Sequence, residues 1–508
     1  MNKQSRLGVQ SQADLEAIVG AEWFSQAPAT LLPYAVNINP AGDVFPCAVI
    51  RPKDITEIQS IVDIANRDRI PIYPISRGLQ HGLGMATAVD AGNLLLDLGR
   101  MDRILHFDPN IGLVVLEPGV TFKQLYDFLE AEQAPYWMSP TSGPVEASVI
   151  GNALDKGAGY IPVGNHFANL IGLEVVLGDG RLLVTGDGAL EGAKSAYTHK
   201  GGCGPMIDGL FAQSNYGIVA KAGVWLMPKP SGARSFVIQV PEYDDIERLV
   251  EVGGSLKLRG AIPSTVSIVN DLFSIGIETT HPFAFKGPGE SPITPTELVA
   301  LRRRHRVGAW NLFGCIYGPP NELESRVSSI ADAFAKTGPT TFLSEEQAQE
   351  QKTFEFRIDL AKGIPRADEV DVYGLHPNGA SFYFLPSVPF LGRNAGEVMR
   401  ASQAVCMEYG FSYTSQFLGS PRSMRNTQPI IFDSADPGSR ERAVACFTEL
   451  VERFERLGYL VSRPPTAFQE RVMEGLGTYG EICSAIKSVF DPNGIIAPGR
   501  YGLRSKRS

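Results

Sequence analysis

The chain has 508 residues, 44% of them hydrophobic and 20% charged, with a formal net charge of −9. That length exceeds one ordinary core and implies two or three domains, and the composition is that of a globular enzyme, not a disordered chain. The acidic balance argues against nucleic acid as the main partner; the only basic cluster noted is the short tail Arg504-Ser505-Lys506-Arg507.

Six scattered cysteines (47, 203, 315, 406, 446 and 483) include no CxxC pair, which points to a reducing compartment. The opening residues lead into no apolar signal segment, and no run of about 18 apolar residues could cross a membrane. The expectation is a cytoplasmic enzyme with no membrane partner. The seven histidines are dispersed, so no metal site is expected.

Residues 1–45 show little periodicity. Asp54 then caps a helix, with Glu57 three residues on and Ile55, Ile58, Ile61, Val62 and Ala65 at helical spacing. Residues 70–73 read as a strand. They lead into Pro74-Ile75-Ser76-Arg77-Gly78-Leu79-Gln80-His81-Gly82-Leu83-Gly84, a glycine-rich stretch able to turn backbone N–H groups toward an anion. Residues 94–98 and 113–116 read as buried strands, and Thr121 starts another helix.

From 140 to 165 the chain is poor in bulky residues, with Pro140, Thr141, Gly151, Asn152, Gly159, Tyr160 and Gly164 in a segment suited to close contact with a large ligand. A hairpin follows over 170–185, turning at Gly178-Asp179-Gly180, and another strand begins near Gly217-Ile218-Val219. Pro228-Lys229-Pro230-Ser231-Gly232 marks a boundary. Beyond it, strands at 236–240, 265–269 and 383–385 alternate with helices at 244–258, 322–337 and 396–409, and 282–295 reads as a loop. A helix at 479–490 precedes Asp491-Pro492-Asn493-Gly494-Ile495-Ile496-Ala497-Pro498-Gly499-Arg500. The fold class is α+β.

The chain lacks the dinucleotide fingerprint G-x-G-x-x-G in its strand-to-helix context, a Walker A loop, a zinc motif and a G-x-S-x-G nucleophile elbow. What it has is a two-part glycine-rich cradle about 70 residues apart. On these motifs the chain resembles the vanillyl-alcohol oxidase and p-cresol methylhydroxylase family of FAD-dependent oxidoreductases. Residues 74–84 resemble its pyrophosphate loop, 149–153 and 159–166 its second flavin segment, 208–211 with 214–219 a third, and 491–499 its C-terminal return, with Arg500 just beyond as a further cofactor contact.

The resemblance implies FAD and a two-domain FAD-binding fold of the p-cresol methylhydroxylase type. The FAD domain would span 1–235, with an inserted α+β cap, the substrate domain, at 236–458 and a returning segment at 459–508. It also implies hydride transfer from substrate to flavin, O2 or a cytochrome as electron acceptor, and a homodimer.

Relatives hold a phenolate with two tyrosines and an arginine. Here the tyrosine positions correspond to Leu83 and Ser462, and only Arg463 is retained. The resemblance therefore implies a small, aromatic or carboxylated substrate oxidised at a C–H next to oxygen or nitrogen. Arg463 would orient it, with Arg425 or Asn426 adding contacts. Asn165 stands where relatives carry an aspartate near the flavin, which leaves the neighbouring His166 as candidate base. Ser381 occupies the position of the histidine that links FAD to the cap in relatives. A covalent link is instead conceivable through His81, three residues after Gly78. Two alternatives stand beside this reading. One is 4-alkylphenol or benzylic oxidation with a rearranged clamp using Tyr383, Tyr413 or Tyr459. The other is a flavin-fold binding protein without chemistry.

Overall fold

The computed structural model describes residues 7–36, 42–279, 293–376 and 378–505. Most of the loop expected at 282–295, the first six residues and the end of the basic tail lie outside this range.

A four-stranded sheet opens the fold, in the order Phe24–Ser25, Ala48–Ile50, Leu94–Asp97, Ile72–Ile75. The last three strands run parallel. They are buried on both faces, which is why they read as short apolar runs. The crossover helix Ile55–Asp68 begins where the Glu57 N–H donates to Asp54 at 2.9 Å. Its buried stripe is Ile58, Ile61, Val62 and Ala65. The following strand starts two residues later than the apolar run suggests, because the Ile70 N–H still donates to Ala65 O and closes the helix behind left-handed Arg69.

The second sheet is antiparallel, ordered Ile104–Asp108, Leu113–Leu116, Gly217–Trp225, Leu170–Leu177, Leu182–Val184. Ile104–Asp108 has no counterpart in the sequence reading. It is an outer strand with no buried residue, so it shows no apolar run. Within the small-residue segment, Val149–Leu154 forms a helix capped by Ser148. Ile150 and Ala153 are buried there, so this stretch also contributes to a core.

Ala233–Val240 is the first strand of an eight-stranded sheet, whose main path is Thr341–Leu343, Ala233–Val240, Trp310–Tyr317, Val266–Asn270, Gln416–Gly419, Ser423–Asp433, Gly379–Phe384. Helices Ile246–Leu258, Pro320–Ala335, Gly392–Glu408 and Pro437–Leu457 share a core with it around Trp310, Phe384 and Phe447. A separate cluster joins Val269, Phe273, Phe356 and Leu375 to Tyr160, which comes from the earlier part of the chain.

The C-terminal return is built by hydrogen bonds. Ile72 N–H donates to Ile495 O and Ala497 N–H to Ile72 O, both at 2.7 Å, so the returning chain covers the open edge of Ile72–Ile75. Fully buried Lys487 donates to Asn215 O at 2.6 Å and Ile496 O at 2.7 Å and pairs with Asp491. No helix among the described residues is long and apolar enough to cross a membrane.

Candidate functional site

A cleft with about 1120 Å³ of non-atom space opens where the parallel sheet, the antiparallel sheet and the C-terminal return meet. Its wall includes Pro74, Ile75, Ser76, Arg77, Gly78, Leu79 and Gln80, then Gly151 and Asn152, Gly217, Ile218 and Val219, and Arg463 and Arg500. Segments distant in sequence thus converge as the motifs suggest. At Gly151 a Cβ would run into Ser76 Oγ, so the helix approaches the loop as closely as glycine permits.

The N–H groups of residues 77–80 make no hydrogen bond among the described residues. Four consecutive unused donors beside a cleft form the anion nest that a diphosphate requires. The residues present therefore fit FAD.

At one end of the cleft a single carboxylate gathers four side chains. Asp155, 4% exposed, accepts from Arg463 Nε at 2.6 Å and from Gln80 Nε2 on Oδ2. On Oδ1 it accepts from Tyr501 OH at 2.8 Å and Arg500 Nη2 at 3.4 Å. Arg500 also donates to Tyr73 OH at 2.8 Å. Arg463 is tethered through Nε, and its two Nη groups have no protein partner among the described residues. Arg425 reaches from the eight-stranded sheet to Lys156 O at 2.8 Å. Burial and then the charge of Arg463 push its pKa down to about 10. Three arginines near one carboxylate leave this end of the cleft electropositive.

Other expected site residues lie elsewhere. His166 bonds through Nδ1 to Asn152 Oδ1 at 2.7 Å and through Nε2 to Ser139 Oγ at 3.0 Å. Burial, then Arg463 and Arg425, push its pKa down to about 3. Both ring nitrogens are engaged and protonation is disfavoured, so the imidazole ties Asn152 to Ser139 and is poorly placed to take up a proton. Asn165 is exposed and accepts from Ala168 N–H at 3.1 Å. Neither residue lines the cleft.

Pro140, Thr141, Gly159, Tyr160 and Gly164 are also absent from its wall. Gly159 packs tightly against Ser139, Pro140 and His166, and its N–H donates to Gly164 O at 2.9 Å. His81, Gly82, Leu83 and Gly84 continue the loop beyond the cleft: a Cβ on Gly82 (φ +70°) would strike the Tyr383 ring, and one on Gly84 would strike Thr466. Leu83 is buried. Ser462 donates its hydroxyl to Leu385 O at 3.2 Å. Asn426 is fully buried and donates to Ser415 Oγ at 2.7 Å.

Against that end of the loop sits a polar group that joins Tyr383 and Tyr160 to Tyr373, Glu369, Arg357 and Gln416, four residues absent from the sequence reading. Tyr383 N–H donates to Gly82 O at 3.2 Å, and Tyr373 OH donates to Tyr383 OH at 2.9 Å. Glu369 lies on the same 3₁₀ stretch as Tyr373, Asp368–Leu375. Its Oε2 accepts from Tyr160 OH at 2.8 Å and Gln416 Nε2 at 3.2 Å, with Arg357 Nη2 at 3.7 Å. Burial and the Glu369 charge raise the pKa of Tyr160, Tyr373 and Tyr383. Of the other tyrosines considered for a rearranged clamp, Tyr459 bonds to Asn394 at 2.7 Å and Glu397 at 2.5 Å, and Tyr413 is buried in the core around Trp310 and Phe384.

Comparison with known proteins agrees with this architecture. Residues 46–186 match the family described as FAD binding domain. The chain is 34% identical to the 4-cresol dehydrogenase [hydroxylating] flavoprotein subunit of Pseudomonas putida, over 93% of this chain and 91% of that one. It is 28% identical to the 1'-carboxy-chondrochloren decarboxylase of Chondromyces crocatus, over 90% of each. A crystal structure of p-cresol methylhydroxylase with substrate bound superimposes with a TM-score of 0.94 at 33% identity, covering 97% of this chain and 96% of that one.

Proposed function

Because this chain belongs to the vanillyl-alcohol oxidase and p-cresol methylhydroxylase family of FAD-dependent oxidoreductases, we propose that it removes hydride from a C–H next to oxygen or nitrogen in a small aromatic or carboxylated metabolite, with an anionic oxygen of the substrate on Arg463. The observation that carries this is the orientation of Arg463. Asp155 holds its Nε at 2.6 Å, the side chain is 13% exposed, and its two Nη donors have no protein partner among the described residues. A largely desolvated, pre-oriented guanidinium fork suits a carboxylate or a developing oxyanion. With leucine at 83 and Ser462 committed to Leu385 O, Arg463 does this without the paired tyrosines. One relative is named for a carboxylated compound, in keeping with that chemistry.

FAD, when bound, supplies the two-electron acceptor. The N–H groups of 77–80 would hold its diphosphate, and Arg500, fixed by Tyr73 and Asp155, would face it from the C-terminal return. Arg463 orients the substrate. His81 lies just past the cleft wall, where a covalent link to the cofactor is a proposal. Electrons pass on to O2 or a cytochrome, and the protein works as a cytoplasmic homodimer.

A second reading, oxidation of alkylphenols, is favoured by the Tyr373–Tyr383 pair against Gly82. The test is anaerobic titration of the purified yellow protein. Bleaching near 450 nm by aromatic 2-hydroxy acids, lost in Arg463→Met, supports the first reading, and bleaching by p-cresol-type phenols supports the second. No bleaching by any alcohol, amine or phenol refutes both, and a protein unable to take up FAD revives the reading without chemistry. Acid precipitation of the same sample decides linkage: colour left wholly in solution refutes attachment through His81.

A further inference from the structure

We propose that His166 is a positioning residue for the cofactor: it turns the Asn152 side chain so that an amide N–H, and not the amide carbonyl, faces bound FAD. The role rests on the cofactor and is independent of the substrate proposed above. Asn152 lies on the helix Val149–Leu154, next to the glycine that packs on Ser76, and it lines the cleft. An amide side chain has one accepting end and one donating end, and its surroundings decide which end points where. Here the Oδ1 end meets His166 Nδ1 at 2.7 Å. The Nδ2 end has no protein partner among the described residues, and it is not one of the fully enclosed polar atoms, so it reaches open space. A residue of the cleft wall thus carries an unused donor.

The tautomer of the ring follows from these contacts. Asn152 Oδ1 can only accept, so His166 Nδ1 carries the proton. Nε2 then accepts from the Ser139 hydroxyl at 3.0 Å. Burial, then the charges of Arg463 and Arg425, disfavour a second proton, so the ring has one N–H and gives it to Asn152. The residue is 7% exposed, and its ring centre lies 5.9 Å from that of Phe122, which leaves little room to swing away.

The same relay accounts for two glycines that stand outside the cleft wall. A Cβ on Gly157 would fall on the Asn152 amide, and one on Gly159 would fall on Ser139 Oγ and His166 Nε2. Gly157 N–H also donates to Asn152 O at 2.8 Å, which ties the turn to the end of the helix. Both positions must be small because Ser139, His166 and Asn152 fill the space where side chains would stand. A cofactor with a diphosphate and an acceptor-rich ring calls for donors along its wall. The N–H groups of 77–80, Arg463 and Arg500 supply some of them, and the Asn152 amide adds another.

The experiment reads two properties of the full-length chain: the FAD dissociation constant of protein prepared without flavin, and the midpoint potential of the flavin in the holoenzyme. Asn152→Asp keeps the shape and puts an acceptor where the donor was. It is expected to weaken FAD binding about tenfold or to lower the potential, because a donor to the ring favours the electron-rich reduced form. His166→Ala frees the amide and is expected to move the same property in the same direction. His166→Asn puts an amide N–H back in the place of Nδ1 and is expected to recover most of that loss. A change confined to the dissociation constant places the donor at the diphosphate, and a lower potential places it at the ring; both support the proposal. Wild-type values for both properties in Asn152→Asp overturn it. So does a loss in His166→Ala that His166→Asn fails to reduce, since a purely packing role suffers in both. If His166→Ala does not fold, the other two variants decide, and an equal loss in both overturns the proposal. If the wild-type chain takes up no FAD, the cofactor itself is refuted and the proposal falls with it.

Discussion

Asp155→Asn keeps the volume at the end of the cleft and removes the charge. The wild-type carboxylate is 5% exposed at the side chain and faces Arg463 at 2.6 Å and Arg500 at 3.4 Å, with those arginines 13% and 21% exposed. Removing one member of a buried pair costs about 3–5 kcal/mol, because the remaining charge is left desolvated. The amide oxygen still accepts one donor, so a loss near about 3 kcal/mol is expected. Arg425 adds to the effect, since the Asp155 charge offsets the repulsion it feels from Arg463. The assay is denaturant unfolding of the holoenzyme followed by flavin release, run as a double-mutant cycle with Arg463→Met. A coupling of about 2 kcal/mol is expected for groups in direct contact, and a value under about 0.5 kcal/mol means that Asp155 does not hold Arg463.

Gly82→Ala places a methyl group against the Tyr383 ring at a φ of +70°. It should cost about 1–3 kcal/mol in thermal unfolding, and Tyr383→Ala in the same chain should recover part of that. No recovery would separate the tyrosine from the loop. His166 has a folded pKa of about 3 against about 6.5 unfolded. The unfolded chain therefore binds more protons between these values, and this contribution to stability is intact above about pH 6.5 and fades toward pH 3. The fall is at most about 1.4 kcal/mol per pH unit. His166→Gln should flatten the acid limb of unfolding free energy against pH, and an unchanged slope would mean that the imidazole is not held neutral.

Much of the scaffold is legible in local sequence. Asp54 and Thr121 start helices because a short side-chain oxygen meets a free N–H three residues on. The strands Leu94–Asp97 and Leu113–Leu116 show as apolar runs because both faces are covered. Ile104–Asp108 escapes the same reading because an outer strand needs no such run. The glycine loop at 74–84 announces its nest, since the demand for converging N–H groups is written in consecutive residues.

The chemistry around that loop follows a different rule. Tyr160 stands in a glycine-rich stretch that reads as cofactor-binding, yet its hydroxyl binds Glu369, 209 residues away. Arg463 is visible by its position after Ser462, but its tether Asp155 is 308 residues distant and sits in no motif. His166 reads as a base from its residue type, and only its enclosure between Asn152 and Ser139 makes it neutral. Residue order alone specifies backbone geometry, caps and the cofactor loop, because those depend on neighbours within one or two turns. Which carboxylate holds which arginine, which phenol meets the loop and which groups carry charge are decided by packing, because burial and partner distance exist only in the folded chain.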